Sequence, residues 1–413
     1  MNMPQIDPQK TSRPSTQKDL GALVEEVLTR GVEEVIVKDE LRKKLLSGKK
    51  LRLYLGVDPT GFSLHLGHAV VLRKLKEFVD LDHEVILLIG DFTAKIGDPT
   101  GKDAMRVPLT DKQIKENFKD YKKQASKILD FWKVKIRYNS TWLSKLRFED
   151  ILKLAGHFTV QQMLHRDMFD KRMKESAPIN QTEFIYPLMQ GYDSVVMDVD
   201  LEIGGNDQMF NMLAGRTLQK AYNNRDKYII TTKLLLGTDG RKMSKTYDNA
   251  IYLNDEPNDM FGKVMSIKDE LIPDYLELAT NFSEAEVAEV KKIANPRDQK
   301  AKLAAEIVKM YHGEALAQKA EEEFNTIFKS GGLPTDIPVF ETPRVNYPIL
   351  DLLCDTKLAE SKNDAKRVIE GNGVTIRNKE QETIIKNWKE EIKVENGMIV
   401  KFGKRKFIKI KIK

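Results

Sequence analysis

The sequence is poor in cysteine and contains no long apolar run. Cys354 is the one cysteine among 413 residues, which excludes a disulfide within the chain and a zinc site built from several cysteines. No stretch of about 18 apolar residues occurs, so no membrane-spanning helix is expected. Residues 1–20 lack the apolar core of a signal peptide and contain a single arginine, whereas transit peptides are arginine-rich. These absences predict a cytoplasmic protein with a flexible N-terminal tail and no membrane partner.

Charge is distributed unevenly along the chain. The formal net charge is +6, and residues 341–413 alone hold 17 Lys and Arg against 11 Asp and Glu, so the first 340 residues are neutral overall. A local basic excess favours a nucleic-acid-binding module joined to a neutral body. A solvated basic tail would give the same count, and charge alone does not separate the two interpretations.

Two segments have the pattern of strand, glycine-containing turn, helix and strand. In the first, residues 51–58 alternate as a strand does, 64–80 have helical apolar spacing, and 84–90 form a buried apolar strand. In the second, 194–203 is strand-like, and Gly204-Gly205 separates it from a helix over 207–222 and a strand over 228–236. The intervening residues, about 107–190, look mostly helical. The pattern predicts a split, doubly wound α/β domain with a helical insertion, whose ligands bind at the carboxyl ends of the strands.

The rest of the chain predicts two further domains. A long segment after the α/β domain is rich in Ala, Glu and Lys with few helix breakers, and a Pro- and Gly-containing linker separates it from a small α+β segment. The predicted parts are a tail at 1–20, an α/β domain at 21–253 with its insertion at about 107–190, a helical domain at 254–335, and an α+β domain at 336–413.

His65-Leu66-Gly67-His68 directly follows the first strand and turn. Gly67 permits close approach of the backbone, and a helix N-terminus there offers N–H groups to phosphate. Neutral imidazoles can also donate hydrogen bonds to a developing oxyanion. Two surface histidines, or a metal-binding pair, are the alternatives, although no third metal ligand has suitable spacing.

A second motif, Lys242-Met243-Ser244-Lys245-Thr246, follows a loop with two glycines. Two lysines three residues apart on such a loop can neutralise a triphosphate as pyrophosphate departs. Taken alone, the segment is equally typical of a solvated lysine loop.

Together, HLGH after the first strand and KMSKT after the second half resemble the paired motifs of the class I aminoacyl-tRNA synthetases, usually HIGH and KMSKS. Tyr186, Gln190 and Asp193 recur at i, i+4 and i+7, so they share one helix face. This helix resembles the tyrosine-pocket helix of the bacterial-type tyrosyl-tRNA synthetases. The resemblance covers residues 21–413 and predicts the α/β Rossmann-like fold of that family.

The resemblance implies a role for each matching residue. It makes Asp193 and Tyr54 the partners of a substrate phenol, and Asp98, Tyr186, Gln190 and Gln208 the partners of the ammonium and carboxylate groups of tyrosine. It makes Thr60, His65, His68, Lys242 and Lys245 catalytic. It implies that ATP binds to Gly56, Asp58, Gly67, Gly205, Asp207, Lys245 and Thr246.

The family also implies substrates and partners. ATP serves as a substrate with Mg²⁺ on its phosphates, and neither zinc nor another resident metal is expected. Residues 358–378 resemble an S4-type RNA-binding module, in which Lys362, Lys366 and Arg367 would bind tRNA(Tyr). The helical domain would contribute to the anticodon side, and the enzyme would be a homodimer.

Departures from the family pattern are few. Leu55 stands where some members carry a small polar residue near the ribose, which puts one ribose hydrogen bond in doubt. Met209 stands where many members have Trp. Three alternatives remain: a tryptophan-specific enzyme of the same class, a synthetase-derived RNA-binding protein without ligase activity, and a small-molecule adenylyltransferase. The Tyr54 and Asp193 pair, both intact motifs and the S4-like tail each favour tyrosine–tRNA ligation.

Overall fold

The computed structural model describes residues 17–61, 63–100, 109–329, 337–378, 381–403 and 406–413. The predicted tail lies outside these residues apart from its last four positions. Two compact units are present. The first contains the described residues up to Asp255 together with Ser266–Leu303, and the second contains Glu256–Met265 with Ala304–Lys413. The three-domain division at 253 and 335 stays a prediction.

The first unit holds one six-stranded sheet and many helices. Its strands are β1 (Val32–Ile36), β2 (Arg52–Val57), β3 (Glu84–Ile89), β4 (Val134–Tyr138), β5 (Leu201–Gly205) and β6 (Tyr228–Thr232). Its helices are α1 (Gln17–Thr29), α2 (Lys38–Leu46), α3 (Leu66–Asp80), α4 (Asp111–Ala125), α5 (Ser140–Leu143), α6 (Phe148–Ala155), α7 (Val160–Leu164), α8 (Asp167–Lys174), α9 (Gln181–Met197) and α10 (Met209–Asn223).

The remaining helices and the strands of a five-stranded and a two-stranded sheet come later in the chain. The helices are α11 (Pro257–Met265), α12 (Ile272–Ala279), α13 (Glu284–Lys291), α14 (Pro296–His312), α15 (Glu314–Lys329), α16 (Ile349–Asp355) and α17 (Lys362–Glu370). The strands are β7 (Val339–Thr342), β8 (Asn346–Pro348), β9 (Val374–Asn378), β10 (Gln381–Ile384), β11 (Glu391–Lys393), β12 (Ile399–Phe402) and β13 (Lys406–Ile412). None of the helices in the described ranges is long and apolar enough to cross a membrane.

The order of the first sheet is β1-β6-β5-β2-β3-β4, and every strand is parallel except β1. The chain runs outward from β2 through β3 and β4, and outward again on the other side through β5 and β6. The carboxyl ends of β2 and β5 therefore form the point where the strand order reverses, which is where open α/β sheets bind ligands. This arrangement confirms the predicted α/β class.

Parts of the predicted secondary structure are wrong. The strand expected over 194–203 begins only at Leu201, because α9 continues to Met197 and ends at Asp198, whose φ is +47°. Ser194 and Met197 extend the buried face of α9. The described residues of the segment 107–190 are mostly helical, and they also include the edge strand β4, in which Val134 is the one buried residue.

Helices α9 and α10 pack closely through two glycines. A Cβ atom on Gly191 would lie 3.1 Å from the backbone nitrogen of Gly215. A Cβ atom on Gly215 would lie 2.4 Å from Lys227 Nζ and 2.8 Å from Ser194 Oγ. The two helices therefore leave room for the Lys227 side chain, which is fully buried next to Ser194.

The second unit contains a five-stranded sheet in the order β10-β9-β12-β13-β7, with its own apolar core under α16 and α17. Ser361 caps α17 by accepting a hydrogen bond from the Asp364 amide, as expected of a Ser at this position. The C-terminal α+β segment is thus present.

Candidate active site

A cavity of about 340 Å³ opens at the carboxyl ends of β2 and β5. It brings together ten of the predicted site residues from five separate chain segments. They are Tyr54, Gly56, Asp58, Thr60, His68, Asp98, Tyr186, Gln190, Asp193 and Gln208. The other predicted residues do not line it: His65, Gly67, Gly205, Asp207, Lys242, Lys245 and Thr246.

The deep end of the cavity holds Tyr54 and Asp193, both buried. Tyr54 Oη lies 2.9 Å from Ser194 Oγ. Asp193 accepts hydrogen bonds from Trp142 Nε1 at 2.7 Å and from Asn139 Nδ2 at 3.3 Å. Burial raises the pKa of Asp193, and the hydrogen bonds from Trp142 and Asn139 oppose that rise. Because each carboxylate oxygen already faces an N–H donor, Asp193 is arranged as an acceptor.

Sequence reasoning missed Asn139 and Trp142, which position Asp193. Asn139 follows β4, and Trp142 lies on α5 directly after it. The carboxyl end of a parallel strand is where functional side chains gather, so recognition of β4 would have identified both. The weak apolar pattern of this edge strand concealed it.

Asp98 and Asp58 organise the opposite wall of the cavity. Asp98 accepts hydrogen bonds from Gln208 Nε2 at 2.6 Å and from the Thr100 amide at 2.9 Å. Tyr186 Oη donates to Asp58 Oδ2 at 2.8 Å. The wall therefore presents two carboxylates to a cationic group, and each is already oriented by neutral donors.

Asp58 is fixed by a close approach between strand ends. Thr93 Oγ1 donates to Asp58 Oδ1 at 2.7 Å. A Cβ atom on Gly90 would lie only 2.0 Å from that same Oδ1 atom, so no larger residue fits there. The Thr60 amide donates to the Asp58 carbonyl at 2.8 Å, which closes a tight turn and leaves Thr60 at the exposed rim.

His65 and His68 lie at the start of α3 with their ring centroids 3.8 Å apart. The His65 amide donates to His68 Nδ1 at 3.2 Å, so the neutral His68 ring carries its proton on Nε2. His68 lines the cavity, and its side chain is accessible there. Burial lowers the pKa of His65 to about 3 and that of His68 to about 4, with further contributions from nearby Lys242. The two rings are therefore neutral hydrogen-bond donors near neutral pH.

The lysine loop is folded around Asn249. Asn249 Oδ1 accepts from the Ser244 amide at 2.8 Å, and Asn249 Nδ2 donates to Asp239 Oδ1 at 2.7 Å. A Cβ atom on Gly237 would lie 2.4 Å from the Asn249 side chain. A larger residue at position 237 would therefore collide with the Asn249 amide.

The two motifs meet in the structure. Lys242 Nζ lies 2.9 Å from Asp207 Oδ2, beside Gly205 and the end of β5. The Leu66 amide donates to the Ile251 carbonyl at 2.9 Å, which joins the start of α3 to the segment after the lysine loop. Lys245 and Thr246 are exposed on the loop.

Comparisons with known proteins agree with this geometry. A family model described as tRNA synthetases class I (W and Y) matches residues 46–329. A second, described as the tyrosine–tRNA ligase SYY-like C-terminal domain, matches residues 330–410. A tyrosine–tRNA ligase of Thermotoga maritima is 45% identical over 390 residues, which cover 93% of this chain and 96% of the relative. One of Carboxydothermus hydrogenoformans is 46% identical over 404 residues, covering 93% of this chain and 97% of the relative.

This chain belongs to the tyrosine–tRNA ligase family. The predicted family is thereby confirmed, and the tryptophan alternative is set aside by the C-terminal match and by the relatives. Among solved structures, the tyrosyl-tRNA synthetase of Archaeoglobus fulgidus in complex with L-tyrosine is 25% identical with a TM-score of 0.58, covering 73% of this chain and 99% of that one. A C-terminally truncated mitochondrial tyrosyl-tRNA synthetase of Coccidioides posadasii is 26% identical with a TM-score of 0.59, covering 73% and 91%.

Over the residues that the structure describes, no three His, Cys, Asp or Glu side chains converge as a metal site requires. Two carboxylates of the cavity are hydrogen-bonded within the protein, Asp98 with Gln208 and Asp58 with Tyr186.

We expect His65 and His68 to stay neutral where ordinary histidines titrate. Following their Cε1–Hε1 NMR signals from pH 7.5 to 5, assigned through His65→Asn and His68→Asn variants, should give flat curves. Since the unfolded chain binds these protons near pH 6.5, the two rings should make folding stability fall as the pH drops below 6.5. An inflection near pH 6.5 for either ring would contradict the buried, neutral arrangement.

Proposed function

We propose that this chain activates L-tyrosine with ATP, forming tyrosyl-adenylate and pyrophosphate, and then transfers tyrosine to the 3′ end of tRNA(Tyr). The observation that carries the proposal is one cavity whose lining combines the buried polar groups of Tyr54 and Asp193 with His68 of the HLGH motif. Family membership supports the reaction, and the cavity supports the amino acid.

Specificity for tyrosine rests on the cost of unpaired polar groups. Tyr54 and Asp193 are both buried, so a phenylalanine in the cavity would leave unmade the further hydrogen bonds that they can form with a substrate hydroxyl. Burying unpaired polar groups in this way can reject the wrong substrate strongly, and tyrosyl-tRNA synthetases are themselves the standard example, at about 10⁵ against phenylalanine without an editing site. Asp98 and Gln208 would hold the ammonium and carboxylate groups of tyrosine, with help from Tyr186 and Gln190.

The activation step needs positioning rather than a protein nucleophile. A carboxylate oxygen of tyrosine attacks the α-phosphorus of ATP in line, a new C–O–P linkage forms, and the bond to pyrophosphate breaks. Thr60, His65, His68, Lys242 and Lys245 would stabilise the phosphate charge. The ATP contacts would come from Gly56, Asp58, Gly67, Gly205, Asp207, Lys245 and Thr246.

The proposed reaction also involves a metal ion bound to ATP and a second, transfer step. Mg²⁺ would enter with the phosphates, whose oxygens it prefers as ligands, and zinc has no role in the proposal. In the transfer step a ribose hydroxyl of the tRNA attacks the adenylate carbonyl, its proton is released, and AMP leaves with the bonding electrons. Neutral His68 can donate a hydrogen bond during the activation step without adding charge to the tyrosine cavity.

Amino-acid-dependent exchange of labelled pyrophosphate into ATP tests the proposal. Measured across the twenty amino acids, exchange should occur with tyrosine and not with phenylalanine, because the deep polar end rejects a ring without a hydroxyl. Exchange with tryptophan in place of tyrosine would overturn the substrate. Absence of exchange in folded protein that still binds RNA would favour the RNA-binding alternative.

We further propose that the C-terminal segment binds tRNA as an S4-like module, with residues 254–335 contributing to the anticodon side. Lys362, Lys366 and Arg367 all lie on α17; Lys362 and Arg367 are largely exposed, and Lys366 is partly exposed. Each has an acidic neighbour: Lys362 pairs with Asp351, Lys366 with Glu370, and Arg367 with Asp364. Such surface pairs contribute little energy, so a phosphate backbone can compete for the cations.

The combined Lys362→Gln, Lys366→Gln and Arg367→Gln variant should weaken tRNA binding at moderate salt, and the dependence of log Kd on log salt should lose about 0.9 per phosphate contact removed. Tyrosine-dependent pyrophosphate exchange should stay at the parent level, since α17 is in the second unit. As a control, Lys220→Gln removes an exposed lysine in the first unit. Equal tRNA affinity in the triple variant and the parent would refute the assignment of α17.

The family resemblance also predicts a homodimer, and the helices of the insertion offer an apolar surface for it. Phe148, Leu152 and Val160 on α6 and α7 expose 78%, 57% and 63% of their surface. Exposed apolar residues that lie close together mark interaction surfaces more often than single ones do. We propose that a second copy of this chain binds to this apolar surface. The cytoplasm stays the predicted location of the protein.

Phe148→Glu should shift the chain from dimer to monomer in sedimentation velocity, because it places a charge in the proposed apolar contact. Trp132→Glu is a matched control, since Trp132 is 98% exposed but lies outside α6 and α7. A parent protein that sediments as a monomer, or a Phe148→Glu variant that sediments as the parent dimer does, would contradict the proposed interface.

A further inference from the structure

A buried chain of polar groups continues from the tyrosine end of the cavity into the core. Tyr54, Ser194 and Lys227 are all fully buried, and Glu202 is 1% exposed. Ser194 Oγ lies 2.9 Å from Tyr54 Oη and 2.9 Å from Lys227 Nζ. None of Ser194, Glu202 and Lys227 is among the residues that the family motifs single out.

Lys227 is held as an ammonium ion by Glu202. The Lys227 Nζ and Glu202 Oε2 atoms are in direct contact, and Glu202 Oε1 accepts from Gln190 Nε2 at 3.0 Å. Burial lowers the pKa of Lys227, while the carboxylate of Glu202 opposes that change. A buried charge is tolerated when a partner of opposite sign and further hydrogen bonds accompany it, and both conditions are met here.

An ammonium group has hydrogen-bond donors and no acceptor. Ser194 Oγ must therefore accept from Lys227, and the remaining partner that the described residues give it is the Tyr54 hydroxyl. If Tyr54 donated to Ser194 as well, the Ser194 proton would be left buried without an acceptor, which is unfavourable. The favourable arrangement has Lys227 donating to Ser194, and Ser194 donating to Tyr54.

We propose that Lys227 and Ser194 are positioning residues that direct the Tyr54 proton into the cavity, toward the phenol oxygen of the substrate. This relay runs from Lys227 through Ser194 to Tyr54. The phenol oxygen of the substrate accepts a hydrogen bond from Tyr54. The substrate hydroxyl in turn donates a hydrogen bond to Asp193, whose oxygens also accept from Asn139 and Trp142. Burial and the charge of Glu202 raise the pKa of Tyr54. The Tyr54 hydroxyl therefore stays protonated and can donate a hydrogen bond.

The fold supplies the space that this relay requires. The parallel pairing of β2 and β5 sets Tyr54 beside Glu202. Residue 215 on α10 is a glycine, and any larger residue there would place its Cβ atom against both Lys227 Nζ and Ser194 Oγ. The relay rests on the proposed function, because its direction matters only for a substrate that carries a phenol.

Ser194→Ala, Tyr54→Phe and the double variant test the relay through tyrosine- and phenylalanine-dependent pyrophosphate exchange. Ser194→Ala should lower the ratio of kcat/KM for tyrosine to that for phenylalanine about tenfold, the effect of one buried hydrogen bond. The KM for ATP should not change. In the Tyr54→Phe background, Ser194→Ala should cause no further loss, because its effect passes through the Tyr54 hydroxyl. Val196→Ala, an exposed position on the same helix, is the control.

A second variant keeps the test independent of Ser194. Lys227→Met combined with Glu202→Gln removes the ammonium donor without leaving an unpaired charge, and it should lower the same ratio. Two outcomes would overturn the relay while the proposed function stands. In the first, Ser194→Ala lowers the tyrosine-to-phenylalanine ratio of kcat/KM equally with and without the Tyr54 hydroxyl. In the second, that ratio is unchanged in the folded Ser194→Ala and Lys227→Met/Glu202→Gln proteins. A parent enzyme without tyrosine-dependent exchange would overturn the proposed function and the relay together.

Discussion

The parallel pairing of β2 with β5 is the constraint on which the site depends. It joins two halves of the sheet that are separated in the chain by the insertion, and it places Leu53 opposite Leu201 and Tyr54 opposite Glu202. A register shift by one residue would turn Tyr54 away from the cavity, because successive strand residues face opposite sides of a sheet. The apolar residues of β2, β3 and β5 fix that register, since they are buried almost completely.

Burying polar groups around the cavity removes them from water, which is unfavourable. The fold offsets this desolvation by giving the carboxylates hydrogen-bond partners. Asp193 is met by Trp142 and Asn139, Glu202 by Lys227 and Gln190, and Asp98 by Gln208 and the Thr100 amide. A buried carboxylate without such partners would be strongly destabilising. The same pairing also fixes the orientation of each carboxylate before a substrate arrives, and preorganised groups of this kind are what stabilise a transition state.

Charge is separated along the length of the site. The cavity lining includes acceptors, a phenol and the neutral His68, whereas the lysines of the loop are exposed outside that lining. The lowered pKa values of His65 and His68 keep positive charge off the cavity wall. The lysines, on a loop anchored by Asn249, are the cations that we propose to bind the triphosphate of ATP.

The sequence by itself determined the family, and it predicted ten residues that the structure brings together in one cavity. HLGH, KMSKT and the Tyr186, Gln190 and Asp193 spacing each depend on local order in the chain, and a βαβ unit has a strong periodic pattern. Such features can be recognised in a sequence without knowledge of any long-range contact. The α/β class and the predicted strands β2 and β3 came from the same local patterns.

Only the tertiary structure decided how the polar groups are paired. The contacts of Asn139 with Asp193, and of Lys227 with Glu202 and Ser194, join residues far apart in the chain. Local periodicity does not encode such pairs, and it favoured a strand where α9 continues past Ser194. A lysine or glutamate next to an apolar strand usually marks an exposed position, and burial becomes favourable only when the fold brings the opposite charge within hydrogen-bonding distance.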